Sequence, residues 1–295
     1  MNQATSPSDA GRPLNILSIQ SWVSYGHVGN ASAVFPLQRL GAEVWAVNTV
    51  QFSNHTGYGA WRGSVFGAEL IHELVEGIAE RGALPRCDAV LSGYMGSAEI
   101  GDAILAAAAR AKAANGAAMY CCDPVIGDVG RGVFVRPGIP EFMRDKAVPA
   151  ADIITPNQFE LEFLSGRPCS SLADIRAAAQ RVHAMGPKVI LVTSLIIGDT
   201  PGDAIDMLAS EGTSLWRVRT PRLGLSVNGA GDAVAALFFV HWLRTRSAAE
   251  ALAAAAASIY GLLRRTAEAG SREILTVAAQ DEFVTPSRLF AVEAV

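Results

Sequence analysis

Residues 14–47 read LNILSIQSWVSYGHVGNASAVFPLQRLGAEVWAV, and the order of patterns within them sets the fold class. Leu14–Ile19 is a short, mostly apolar run of the kind that forms a buried strand. Gly26 and Gly29 then punctuate the chain, Ala31–Leu40 carries a helical pattern, and Glu43–Val47 resumes a strand. Strand, helix and strand in succession form a βαβ unit. The rhythm continues with strands expected at Ala89–Leu91, Ala118–Cys122, Asp152–Thr155 and Val189–Thr193, separated by helices near 98–114, 139–146, 158–165 and 172–185. Ala204–Leu208 and Ser214–Val218 flank Ser-Glu-Gly-Thr and predict one antiparallel hairpin near 204–218, followed by helices at about 231–245 and 248–265. The expected fold is α/β: a mainly parallel central sheet with helices on both faces. No repeat or linker marks a second domain, so 14–295 is expected to form a single unit. Residues 1–13 are polar and rich in small residues, and predict a loose, flexible tail without the pattern of a signal peptide.

Composition narrows the function. Half of the 295 residues are hydrophobic, 18% are charged and the net charge is −4, with no run of Lys or Arg. This gives no electrostatic footprint for nucleic acid or for an acidic membrane surface. The apolar run Ala251–Leu263 falls short of the roughly 20 residues that span a bilayer and is expected to be a packed helix. The four cysteines, Cys87, Cys121, Cys122 and Cys169, form no CxxC and lie at no metal-ligand spacing with His. Neighbouring Cys121 and Cys122 on a strand point to opposite faces, which argues against a disulfide; a cytoplasmic location is expected.

In folds of this class ligands bind outside the carboxyl ends of the strands. Those exits carry Gln20-Ser21, Asn48-Thr49, Ser92-Gly-Tyr94, Cys122-Asp-Pro124, Thr155-Pro-Asn157 and Thr193-Ser194. Any one could be an ordinary polar loop; six in register point to a site.

Neither GxxxxGK[ST] nor a GxGxxG after the first strand is present. Asn228-Gly-Ala-Gly-Asp232 instead sets small residues at the start of a helix whose next eight residues, Ala233–Val240, are all apolar. Such a turn can aim backbone N–H groups at a phosphate. Asp232 is then either an ordinary first-turn acid or a general base beside an anion hole, the arrangement of a kinase. Asp123 and Glu160 offer oxygen ligands suited to Mg²⁺, or are a turn residue and a helix-start acid. Gly127-Asp-Val-Gly-Arg-Gly132 reads as a surface loop or as a flap able to close over a phosphate chain. The stretch Gln51–Tyr58 suits a flat heteroaromatic ligand, with His55 read as a structural residue.

The chain resembles the pyridoxal kinases of the ribokinase-like superfamily. The likeness covers nearly everything after the tail and rests on Ser18–Ser21, Val47–Gly57, Cys122–Val125, Ala151–Glu160 and Gly229–Asp232. GxGD alone marks only the superfamily, whereas Gln-Phe-Ser-Asn-His-Thr is far more specific. The resemblance implies ATP- and Mg²⁺-dependent phosphorylation of the 5′-hydroxymethyl group of pyridoxal, and of pyridoxine and pyridoxamine as further acceptors, with a monovalent cation such as K⁺ and a homodimer as companions. It makes Asp232 the base and Gly229, Ala230 and Gly231 the anion hole. Ser21, Thr56, Gly57 and Tyr94 fall at substrate positions. Asp123, Thr155, Glu160, Thr193 and Ser194 fall around the nucleotide, with Asp123 and Glu160 near the cation. Trp22, Gly57 and Thr193 depart from residues found in other members (His, Gln and Lys), which changes the expected pocket and removes a Lys contact with nucleotide. A hydroxymethylpyrimidine or sugar kinase is the same-chemistry rival, and a vitamer-binding carrier the rival without turnover.

Overall fold

The strand expected at the head of the chain is β1, Asn15–Val23, and its alternation builds the molecule. Ile16 faces one apolar core, while Leu17 and Ile19 face another on the opposite side of the sheet. The computed structural model describes residues 12–295, so the tail expected over 1–13 lies almost wholly outside the described residues.

In chain order the strands after β1 are β2 (Glu43–Phe52), β3 (Gly63–Val65), β4 (Ala89–Ser92), β5 (Met119–Cys122), β6 (Gly127–Asp128), β7 (Gly132–Val133), β8 (Ile153–Ile154), β9 (Val189–Leu195), β10 (Ala204–Glu211), β11 (Ser214–Pro221) and β12 (Val292–Ala294). Ten of them form one sheet in the order β12-β11-β10-β9-β8-β5-β4-β1-β2-β3, and β6 pairs with β7 apart from it. The central run from β2 to β9 is parallel throughout. The hairpin β10–β11 is antiparallel as expected and turns at Gly212-Thr213, where Gly212 takes φ 61°. Two further antiparallel additions were not expected, β3 on β2 and β12 on β11.

The helices are α1 (Asn30–Arg39), α2 (Ala68–Glu80), α3 (Ala98–Ala114), α4 (Ile139–Phe142), α5 (Val148–Ala150), α6 (Gln158–Ser165), α7 (Leu172–His183), α8 (Ala230–Thr245), α9 (Ala248–Glu268) and α10 (Asp281–Val284). Apolar residues of α2, α3, α6 and α7 pack on one face of the sheet; those of α1, α8, α9 and α10 pack on the other. Helix α2 is not among the elements expected above, although Ile71, Val75 and Ile78 recur at helical spacing. The helix expected over 139–146 is two short helices joined by a π turn at Met143–Ala147.

Cys121 and Cys122 sit in opposite cores, and all four cysteines are buried and free. Helix α8 is buried nearly all round: Ala233–Val240 are at most 4% exposed. Burying Leu237, Phe238 and Phe239 contributes about 1.5–3 kcal/mol each. That packing fixes the N-terminus of α8 against the carboxyl ends of the parallel strands.

Candidate active site

Two β-bulges flank those strand ends. Along β1 and β2, Gln20 pairs Asn48 but Trp22 pairs Gln51, so β2 carries one extra residue at Thr49–Val50. Along β10 and β9, Leu208 pairs Val192 but Asp206 pairs Leu195, which puts an extra residue at Thr193–Ser194. Ser194 accordingly takes φ 52°, a left-handed conformation that costs a non-glycine residue about 1–2 kcal/mol. Bulges re-aim side chains beside functional sites. Here they border a cavity of about 590 Å³.

Every residue expected at the site lines this cavity: Ser21, Thr56, Gly57, Tyr94, Asp123, Thr155, Glu160, Thr193, Ser194 and the run Gly229–Asp232. Some strand-exit residues do not. Asn48 accepts a hydrogen bond from Asn30 Nδ2 (2.9 Å), Thr49 donates to the Tyr94 carbonyl (3.0 Å), Gln20 donates to Ser18 (3.0 Å) and Ser92 pairs with the Tyr120 hydroxyl (2.9 Å). These side chains satisfy one another within the fold.

At the cavity floor, Gly229 precedes α8 with φ 85° and without a capping side chain. The first-turn N–H groups of α8 are thus left for a ligand. A Cβ at Gly229 would overlap the His27 carbonyl oxygen, so packing demands glycine there. At Gly231 a Cβ would meet no protein atom within 4 Å. Ser32 of α1 pins the turn by donating to the Gly229 carbonyl (2.7 Å).

Asp232 follows, half-buried, its carboxylate accepting from the Gly29 backbone N–H at the head of α1. Burial pushes its carboxyl up from 3.8 to about 6, against the opposing pull of that hydrogen bond. A base with this affinity is largely ionised at neutral pH yet still competent to take a proton.

Asp123 lies behind it, buried, with Thr155 Oγ1 donating to its Oδ1 (2.9 Å). Burial first, then the negative charge of Asp232, pushes Asp123 up to about 7. Glu160 is 4% exposed and closes a capping box at the start of α6. Its Oε2 accepts from Asn157 N (2.9 Å) and its Oε1 from Ile126 N (2.9 Å) and Gly127 N (3.4 Å). Burial and the charge of Asp123 raise it well above the usual carboxylate range. None of the three acids has an ion-pair partner among the described residues. Burying uncompensated carboxylates is costly, and the set suits a hard cation. It is not a closed protein cage, since no group of three His, Cys, Asp or Glu among the described residues is placed to hold a metal.

The lining also has an apolar part, where Val23, Val28, Val50 and Phe52 pack together with Tyr94 against them. His55 caps the turn Thr56–Tyr58, its Nδ1 accepting from Gly57 N (3.0 Å). Burial, then the charge of Arg131, holds its imidazole below 6.5. The glycine-rich 127–132 stretch is the β6–β7 hairpin, which adds Gly127, Asp128 and Arg131 to the lining, with Phe134 just beyond.

Several of these residues carry no strong local signal. Arg131 lies inside a stretch the sequence marks. Gly29 is marked only as a break before α1, and Glu273 does not stand out, because each acts across a long separation in the chain. Glu273 Oε1 accepts from the Tyr58 hydroxyl (2.5 Å) and its Oε2 from His27 N (3.2 Å), tying the 55–58 turn to the loop before α1.

Amides aimed at an anion, a carboxylate of raised proton affinity and two further acids beside them, all at the strand ends of an α/β sheet, define a phosphoryl-transfer site of the small-molecule kinase class. The family model described as phosphomethylpyrimidine kinase matches residues 64–277. The chain is 66% identical over 281 residues to a pyridoxal kinase PdxY from Granulibacter bethesdensis, covering 94% of this chain and 98% of that protein. It is 56% identical over 289 residues to one from Deinococcus radiodurans, covering 96% and 97%. A pyridoxal kinase from Leishmania donovani solved with ADP and pyridoxamine superposes with a TM-score of 0.88 at 30% identity, over 95% of this chain and 99% of that one. The chain belongs to the pyridoxal kinase family.

Proposed function

We propose that this chain transfers the γ-phosphoryl group of ATP to the 5′-hydroxymethyl group of pyridoxal, giving pyridoxal 5′-phosphate and ADP. The observation that carries the reading is that Asp232, at the uncapped N-terminus of α8, lines one cavity together with an apolar, aromatic set (Val23, Val28, Val50, Phe52 and Tyr94) and an acidic, hydroxyl-bearing set (Asp123, Thr155, Glu160, Thr193 and Ser194). An acceptor ring suits the first set, with Ser21, Thr56, Gly57 and Tyr94 as its contacts. Nucleotide phosphates suit the second, with Thr155, Thr193 and Ser194 as theirs.

Asp232 takes the hydroxyl proton as that oxygen attacks the γ-phosphorus, and the bond to the β-phosphate oxygen breaks with its electron pair leaving on ADP. The amides at Gly229–Gly231 hold the charge that spreads over the transferring oxygens. Asp123, and Glu160 through the acceptor capacity its three backbone hydrogen bonds leave, would hold Mg²⁺, which offsets phosphate charge when bound. Glu160 and Asn157, whose Nδ2 donates to the Gly127 carbonyl (2.8 Å), hold the root of the β6–β7 flap, and flap closure excludes water.

Relatives solved with ADP and pyridoxamine or pyridoxine support these vitamers as further acceptors. A monovalent cation such as K⁺ and a homodimer are proposed on the resemblance alone, and a cytoplasmic location on the four free cysteines. A coupled assay over pyridoxal, pyridoxine, pyridoxamine, hydroxymethylpyrimidine and ribose, with and without Mg²⁺ and K⁺, tests the reading. Turnover of only hydroxymethylpyrimidine or ribose would overturn the substrate assignment.

A further inference from the structure

Beside the main cavity lies a second, smaller one of about 120 Å³, lined by Gly57, Tyr58, Arg131, Ser226, Asn228 and Arg272. Four segments distant in sequence meet there: the 55–58 turn, the flap, the segment leading to the α8 cradle, and the loop after α9. Its lining is almost wholly polar, and it shares Gly57, Arg131 and Asn228 with the main cavity, so it opens next to the cradle. Two guanidinium groups face it, and neither has a carboxylate partner among the described residues.

Arg272 is adjacent in sequence to Glu273, but both oxygens of that carboxylate are already engaged, by the Tyr58 hydroxyl and by His27 N. Arg272 instead stacks over the Tyr58 ring at 4.7 Å. The same Tyr58 is fixed through Glu273, so the guanidinium is held in place with its donor fork unfilled. Arg131, in the flap turn, has only its backbone N–H committed, to the Asp128 carbonyl (3.2 Å). Its charge is felt by His55, which places the flap arginine against the 55–58 turn. A pair of unfilled arginine forks with hydroxyl and amide side chains between them matches a phosphate monoester, which accepts bidentate hydrogen bonds from Arg.

We propose that the Arg131–Arg272 pocket receives the phosphate of the phosphorylated product after transfer, a station beside the cradle that retains product and is released when the flap opens. The proposal rests on the kinase reading above. Nucleotide phosphates are the other source of the same chemistry, and the test separates the two.

Arg272 lines only the smaller pocket, so Arg272→Gln is the variant of choice, with Arg272→Lys to keep the charge. Pyridoxal turnover by the wild-type full-length chain is measured first; its absence is a failure of the substrate reading. Binding of pyridoxal 5′-phosphate, followed by its absorbance, is measured independently of turnover. The expected result is a product dissociation constant and product-inhibition constant raised about tenfold in Arg272→Gln and only partly in Arg272→Lys. KM for pyridoxal and for ATP should stay within about twofold, and product binding should lose some of its salt dependence. An unchanged product constant in Arg272→Gln overturns the proposal, as does a rise in KM for ATP that matches the rise in the product constant.

Discussion

Replacing Asp232 by Asn separates what this carboxylate does for catalysis from what it does to stability. In the folded chain its carboxyl is pushed up from 3.8 to about 6, chiefly by burial. Folding therefore favours the protonated form, and the ionised form is a liability. The penalty is absent below about 3.8, grows as the group ionises, and is complete above about 6. A difference of about two pKa units is worth up to about 3 kcal/mol, and the half-buried position reduces it to about 1–2 kcal/mol. The substituted amide would carry no charge, while its side-chain oxygen could still accept the Gly29 N–H. Asp232→Asn is thus expected to unfold at higher urea at pH 8, with the advantage shrinking as pH falls towards 4. Turnover should fall by about 10²–10⁴-fold in a coupled ADP assay, the usual worth of a general base. Wild-type kcat/KM should rise with pH through about 6 as the base ionises, and the Asn variant should lose that limb. An Asn variant with turnover within tenfold of wild type would refute the base assignment, and one less stable than wild type at pH 8 would refute the electrostatic account.

The two cradle glycines should respond differently to alanine. Gly229→Ala drives a Cβ into the His27 carbonyl at φ 85° and should cost both activity and several degrees of Tm, whereas Gly231→Ala meets no protein atom and should keep its Tm while phosphoryl transfer falls. Equal thermal shifts, read by calorimetry, would contradict the geometry. Chelation of Mg²⁺ should abolish turnover and its return should restore it; full activity in excess chelator would exclude the role given to Asp123. All four thiols are buried, so the native chain should show no fast-reacting cysteine towards a thiol reagent and all four should react in denaturant.

Much of this was legible because parallel sheets write themselves plainly. Leu14–Ile19 and the later apolar runs lie where strands form, and the pairing of small residues with an acid at Gly229–Asp232 falls at the head of a buried helix. What escaped depends on neighbours rather than on local pattern. Helix α2 is the exception, since Ile71, Val75 and Ile78 do mark an amphipathic face within the sequence. Strands β3 and β12 exist only because a partner edge is available to each. The strain at Ser194 follows from a register mismatch with β10 that no reading of β9 by itself contains.

The residues read in two ways at the outset are the most instructive, because a local structural role leaves room for the role proposed at the site. Glu160 is a helix-start acid: its carboxylate completes the capping box with Asn157. The same carboxylate reaches across to Ile126 and Gly127 at the root of the flap, so the cap of α6 and the position of the hairpin are set by one group. Asp232 is likewise a first-turn acid, and hydrogen bonds from the backbone N–H groups of Gly29 and of Asp232 itself oppose the upward push of burial on its carboxyl. A local structural role and a site role compete only while a residue is considered by itself. Once the fold brings two helix N-termini to one cavity, the features that satisfy the backbone also tune the proton affinities on which the proposed chemistry depends.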